Sequence, residues 1–93
     1  MNALFTRAEL NAAMAGLPFR AAQNESLAPY TTFKVGGPCP WMLIPKTEEA
    51  LARAVTFLWE RGASWRILGG GTNLLVRDEG ISDAVINIRE MEP

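Results

Sequence analysis

The chain has 93 residues and a formal net charge of −1, from nine Lys and Arg against ten Asp and Glu, so it holds one small domain without the clustered basic charge of a nucleic-acid binder. It contains no histidine and a single cysteine, Cys39. This composition excludes an internal disulfide framework and removes the commonest zinc ligand and general base.

The N-terminal segment predicts a short helix and no targeting signal. Thr6-Arg7-Ala8-Glu9 has the S/T-x-x-E spacing of a capping box, and a helix from about Thr6 to Ala15 follows, ended by Gly16 and Pro18. Polar residues interrupt this segment, so it lacks the apolar core of a signal peptide, and no run reaches the ~18 apolar residues of a membrane span. We therefore expect a cytoplasmic protein with no membrane partner.

Residues 18–29 lose periodicity and gain polar side chains, which predicts an extended connection over the surface. We place a soft boundary there. Residues 1–28 form an N-terminal helix with an extended connection, and residues 29–93 form the main domain.

The main domain begins with β-favouring residues that lead to the turn Gly36-Gly37-Pro38. Trp41 to Ile44 is an apolar run that suits a strand buried on both faces, although periodicity alone does not separate it from a buried helix segment. A helix is predicted from about Glu48 to Arg61, with Thr47 as its N-cap and Gly62 at its C-terminal turn. Phe57 and Trp59 are expected to widen the apolar face of this helix.

Trp65 to Leu68 predicts a second apolar strand, which runs directly into three glycines. Strand, helix and strand with short links favour a βαβ unit, with a parallel pair of strands and the helix packed on one face. Leu74 to Val76 and Ala84 to Ile88 predict two further strands. The fold class that follows is α+β.

The glycine loop, Gly69-Gly70-Gly71-Thr72-Asn73, is the candidate binding motif. Successive glycines after a strand let backbone N–H groups converge on an anion, and the Thr and Asn side chains can add hydrogen bonds. No lysine follows as in a Walker A loop, and the third glycine of a Rossmann fingerprint is replaced by Leu74. A tight turn without a ligand remains the alternative.

Several motifs in order resemble one enzyme family. "TTFKVGGP", then a βα unit opened by "PKTEEAL", then "ILGGGTNLLVRDEGISDAVINI" is similar to the N-terminal part of UDP-N-acetylenolpyruvoylglucosamine reductases over about Pro29 to Ile88. The resemblance implies FAD bound in a domain of the vanillyl-alcohol-oxidase (PCMH) type, of which residues 29–93 would be the incomplete N-terminal part. It also implies NADPH as reductant and a UDP-sugar substrate, reduced to UDP-N-acetylmuramate for peptidoglycan synthesis.

Carried over residue by residue, the resemblance implies FAD-binding positions in the glycine loop, of which Gly69, Gly70, Gly71, Thr72 and Asn73 face the phosphates and Leu74 continues the loop beside them. Thr72 stands where the family most often has Ser and keeps the hydroxyl. Thr31 stands where the family has Asn, which removes one side-chain amide.

The family's acid serine, glutamate and arginine lie later in its chain, so we expect no catalytic residue in this one. The chain then corresponds to the first third or less of a longer reductase and is expected to bind FAD weakly or not at all by itself. The alternatives are another flavoenzyme of the same fold, such as a sugar or alcohol oxidase, and a non-catalytic domain in which the glycines form a structural turn.

Three kinds of side chain outside the loop favour structural roles. Trp41, Trp59 and Trp65 lie inside apolar elements, which indicates core packing. Cys39 between two prolines is interpreted as a free thiol in a buried turn. Residues 77–79 are charged and precede Gly80, which indicates a solvated turn.

Overall fold

The computed structural model describes residues 4–30, 36–69 and 80–91. The elements in chain order are α1 (Arg7–Ala13), β1 (Phe19–Ser26), a 3-10 turn (Ala28–Tyr30), β2 (Pro38–Pro45), α2 (Glu48–Glu60), β3 (Trp65–Leu68) and β4 (Ala84–Asn87). A four-stranded sheet with two helices is a small mixed α/β fold, in agreement with the predicted α+β class. The predicted strand Leu74 to Val76 and the predicted turn at residues 77–79 lie outside the described residues.

The capping box predicted at the start of α1 is confirmed. The Glu9 N–H donates to Thr6 Oγ1 at 3.1 Å, and the Thr6 N–H donates to Glu9 Oε1 at 2.8 Å, so two backbone donors at the helix start are satisfied reciprocally. The helix ends at Ala13 rather than Ala15, and the chain turns away at Gly16 with φ of +80°. Helix ends often fray by a residue or two, which accounts for the difference.

The second helix matches its predicted bounds to within one residue. Thr47 Oγ1 accepts from the Ala50 N–H at 3.2 Å, and Gly62 takes the left-handed conformation, with φ of +66°. The expectation that Trp59 extends the apolar face is wrong, because its side chain is 75% exposed. Phe57 and Leu58 occupy the side of α2 that faces the core. Each residue along a helix is rotated by about 100° from the one before it, so Trp59 lies off that side.

The sheet order is β1-β2-β4-β3, with β4 parallel to both of its neighbours and β1 antiparallel to β2. The predicted βαβ unit therefore has β2 and β3 in the expected parallel sense, but they do not pair with each other. The last strand, β4, lies between them. All four of its residues are buried, which suits a strand with neighbours on both edges.

The predicted extended connection after α1 is a strand of the sheet. β1 pairs with β2 from Phe19 opposite Pro45 to Ser26 opposite Pro38, and β2 accordingly begins at Pro38 rather than at Trp41. Within the described part of the chain β1 is an edge strand with several exposed polar side chains, so it shows no apolar periodicity. The proposed domain division after residue 28 remains a prediction.

Buried side chains form one cluster on each face of the sheet. The helix-side cluster joins both helices to the sheet through Phe5, Leu10, Met14, Trp41, Leu43, Ala50, Ala54, Phe57, Leu58, Ala84 and Ile86. The opposite cluster contains Leu27, Cys39, Met42, Ile44, Leu68 and Val85, with Tyr30 and Ile81 packed against it. The predicted core role of Trp41 is confirmed: its ring stacks on Phe5 with centroids 4.8 Å apart.

Trp65 is half-buried against the helix-side cluster, consistent with its predicted packing role. Neither helix in the described ranges has the length and apolar character needed to cross a bilayer.

Candidate functional site

The candidate site lies where the three parallel strands end. β2 ends at Pro45, β4 at Asn87 and β3 at Leu68, and because the strands are parallel these ends share one edge of the sheet. In open α/β sheets, ligands bind outside the carboxyl ends of the strands. We call this region the carboxyl edge.

Gly69 is the first residue of the glycine loop and leaves β3 directly at the carboxyl edge. It is buried, and the residue before it is fixed by the Ile88 N–H, which donates to the Leu68 carbonyl at 2.9 Å. The structure thus places one predicted site residue. The other five, Gly70, Gly71, Thr72, Asn73 and Leu74, lie outside the described residues.

Arg89 contacts the start of the loop and was not anticipated from the sequence. Its Nε donates to the Gly69 carbonyl at 3.1 Å, and its guanidinium carbon lies 5.7 Å from the centroid of the Tyr30 ring. A basic residue shortly after a buried strand was the available signal, but its proximity to Gly69 depends on the pairing of β3 with β4.

Asn87 is a buried polar residue at the same edge, only 3% exposed. Its Oδ1 accepts from the Arg89 N–H at 2.9 Å, and its Nδ2 contacts Met42 Sδ at 3.7 Å. A thioether sulfur is a weak acceptor, so the amide donor has a poor partner. Asn87 therefore orients the backbone at Arg89.

An ion cluster lies beside these residues. Arg20 at the start of β1 and Lys46 directly after β2 both pair with the Glu90 carboxylate. The hydrogen bond from Lys46 and then that from Arg20 hold the pKa of Glu90 below its usual value. Among the described residues, Arg89 adds a third cationic side chain beside this carboxylate, a balance that favours an anionic ligand.

Tyr30 connects this edge to the segment that precedes β2. Its hydroxyl donates to Glu25 Oε2 at 3.3 Å. Burial and then the Glu25 carboxylate raise the pKa of Tyr30, so the hydroxyl remains a donor at neutral pH. The aromatic face is thereby held in place under the Arg89 guanidinium.

Two other candidate chemistries find no support in the described structure. Cys39 lies inside β2 rather than in a turn, and burial raises the pKa of its thiol to about 11, so it carries almost no thiolate at neutral pH. Across residues 4–30, 36–69 and 80–91, no three Cys, Asp or Glu residues are grouped closely enough to hold a metal ion.

The fold and this edge together define a small mixed α/β domain with a candidate anion-binding site at the ends of parallel strands. The chain is 43% identical over 67 residues, 72% of its length, to the UDP-N-acetylenolpyruvoylglucosamine reductase of Petrotoga mobilis. It is 42% identical over 70% of its length to that of Halalkalibacterium halodurans, and 41% identical over 84% to that of Streptococcus mutans.

These similarities confirm the family resemblance, and the chain is homologous to UDP-N-acetylenolpyruvoylglucosamine reductases. It covers 22% of the Petrotoga mobilis and Halalkalibacterium halodurans proteins and 25% of the Streptococcus mutans protein. No family model matches the chain.

Proposed function

We propose that this chain is the FAD-binding segment of an NADPH-dependent reductase that converts UDP-N-acetylenolpyruvoylglucosamine to UDP-N-acetylmuramate in cytoplasmic peptidoglycan synthesis. The identity shared with reductases of that name supports the reaction class. In this proposal the segment is the first part of a flavin domain of the vanillyl-alcohol-oxidase type, and the UDP-sugar site lies mostly outside it.

The observation that carries the proposal is the position of Gly69. It directly follows β3, a strand that pairs in parallel with β4, at an edge where Arg20, Lys46 and Arg89 are cationic. A pyrophosphate is anionic and is bound best by fixed donors, since charge-assisted hydrogen bonds are stronger than neutral ones. The donor set at this edge therefore fits a dinucleotide without requiring a metal.

The proposed division of labour follows from the residues present. Gly69, Gly70 and Gly71 would bind the pyrophosphate through their backbone, with Thr72, Asn73 and Leu74 beside it. Bound FAD would supply the hydride chemistry between NADPH and the enolpyruvyl double bond. Within the described ranges the site residues bind and orient, and we assign no proton transfer to them.

Flavin binding is the first test. The full-length protein carrying this segment should purify with bound flavin and oxidise NADPH when UDP-N-acetylenolpyruvoylglucosamine is added. The 93-residue chain alone should bind FAD weakly or not at all, because much of the proposed cavity lies elsewhere. A full-length protein that takes up no flavin would overturn the assignment and favour a non-catalytic domain.

Substrate choice is the second test. The flavin-bound protein would instead be another flavoenzyme of the same fold if it oxidised simple sugars or alcohols and left the enolpyruvyl sugar unchanged. Covalent flavin attachment through histidine cannot occur in this segment, since it contains none. Tryptic peptides from this segment of the flavin-loaded full-length protein should therefore carry no histidine-linked flavin.

A further inference from the structure

We propose that Arg89 is a positioning residue that holds the entry of the glycine loop in the orientation that binds a dinucleotide pyrophosphate. The consequence for the ligand rests on the proposed function, but the contact itself does not. Arg89 follows β4, and its Nε donates to the Gly69 carbonyl, 3.1 Å away at the end of β3. It therefore ties together the ends of two neighbouring strands at the carboxyl edge.

The hydrogen bond acts on the loop through the rigidity of the peptide group. The peptide that leaves Gly69 is planar, and its C=O and N–H point in opposite directions. A donor that fixes the carbonyl also fixes the direction of that peptide's N–H, the type of group that binds an anion in a backbone nest. Glycine is otherwise the least restrained residue of the chain, so an external restraint has the most effect there.

The Arg89 side chain is itself held in place. Its backbone N–H donates to the buried Asn87 side chain at 2.9 Å, and its guanidinium lies over the Tyr30 ring. Tyr30 immediately precedes the "TTFKVGGP" motif, whereas Gly69 begins the glycine motif. Arg89 thus contacts Tyr30, next to the first of the three motifs that carry the family resemblance, and Gly69 in the third.

The chemistry of the contact distinguishes Arg from Lys. The planar guanidinium presents its Nε–H to Gly69 while its carbon lies 5.7 Å from the centroid of the Tyr30 ring. Lys has a methylene at the chain position where Arg has Nε, so it has no donor there. If Arg89 acted only through its positive charge near the ligand, Lys would replace it. If Arg89 acts by positioning, the Arg89→Lys variant should bind FAD more weakly.

The experiment compares Arg89→Lys and Arg89→Met in the full-length protein by fluorescence titration of FAD. Both variants should bind FAD about tenfold more weakly, the loss expected for one hydrogen bond from a charged donor. Arg53→Lys and Arg53→Met, on the exposed face of α2, should bind as the unaltered protein does. Full FAD affinity in Arg89→Lys would overturn the positioning role.

A readout without FAD separates this inference from the proposed function. The carbonyl carbon resonance of Gly69 should move upfield in Arg89→Met, because its hydrogen-bond donor is gone. A shift in a protein that binds no FAD would support the positioning contact and sink the proposed function. An unchanged resonance would overturn the inference whatever the FAD result.

The Tyr30 ring provides a second set of variants should Arg89→Met fail to fold. Tyr30→Phe keeps the ring under the guanidinium and should preserve FAD affinity. Tyr30→Leu removes the ring and should weaken binding about threefold, the value of a partly exposed cation–π contact. Equal FAD affinity in these two variants would contradict the role of the Tyr30 ring in holding the Arg89 side chain.

Discussion

At the residue scale, Gly80 occupies a position that admits no side chain without rearrangement. Its φ is +88°, and an added Cβ would lie 2.1 Å from the Pro38 carbonyl oxygen. The next residue, Ile81, donates its N–H to that same oxygen at 3.1 Å. Gly80 therefore lets the chain that leads into β4 pass directly over the start of β2.

Gly80→Ala should destabilise the protein by at least about 2 kcal/mol, since it combines a left-handed backbone cost with a backbone clash. Gly16→Ala is the matched control, because Gly16 also has positive φ, +80°, but nothing lies within 4 Å of an added Cβ. It should cost about 1 kcal/mol. Urea unfolding measures both values, and equal losses would show that the clash with Pro38 is relieved by a small shift.

Single residues were predictable where their roles are local. The helix-capping roles of Thr6 and Thr47 and the turn role of Gly62 follow from short-range hydrogen bonds and were expected. The requirement for Gly80 was not, because the obstructing atom belongs to Pro38, which is far away in the sequence. The predicted packing of Trp59 in the core was wrong because it rested on residue type, which predicts burial only on average.

At the element scale, the helices were predictable and the sheet order was not. Helix ends carry local caps, whereas an edge strand such as β1 is defined mainly by its pairing with β2. The same distinction applies to the candidate site. Gly69 was found from its sequence motif, but Asn87 and Arg89 reach it only because β4 lies next to β3.

The cap of α1 offers a direct test of an element. Thr6→Ala should lower the free energy of unfolding by about 1 kcal/mol, because it removes the side-chain acceptor of the Glu9 N–H. The helix carries Leu10 into the core and its Glu9 pairs with Arg61 next to α2, so the loss should be global rather than confined to α1. Thr6→Ser keeps the acceptor and should change little in thermal unfolding, and an equal loss in both variants would contradict the capping role.

At the scale of the whole molecule, paired surface carboxylates link the elements. Hydrogen bonds from the Thr6 backbone and then Arg61 lower the pKa of Glu9. Those from Ser64 and then Arg66 lower the pKa of Asp83, and those from Lys46 and then Arg20 lower that of Glu90. The ion pairs of these three carboxylates join segments distant in sequence, so they are present only in the folded chain.

Stability should therefore fall in acid. As pH drops through the ordinary pKa values of 4.5 for Glu and 3.8 for Asp, the unfolded chain takes up protons before the folded chain does. The stabilisation is complete above these values and is lost as pH falls through the lowered, folded-state ones. Thermal unfolding between neutral pH and about pH 3 measures the slope, which Glu90→Gln should flatten.

The sheet order also implies a sequence of events during synthesis. β2, α2 and β3 leave the ribosome before β4, yet β2 and β3 share no pairing of their own. β2 and β3 are joined in the sheet only after residues 84–87 have been synthesised and have formed β4. The parallel strands therefore cannot pair one after another in chain order. Such non-local pairing is slow to form. The carboxyl edge, and with it the start of the glycine loop, should therefore form only after β4 has left the ribosome.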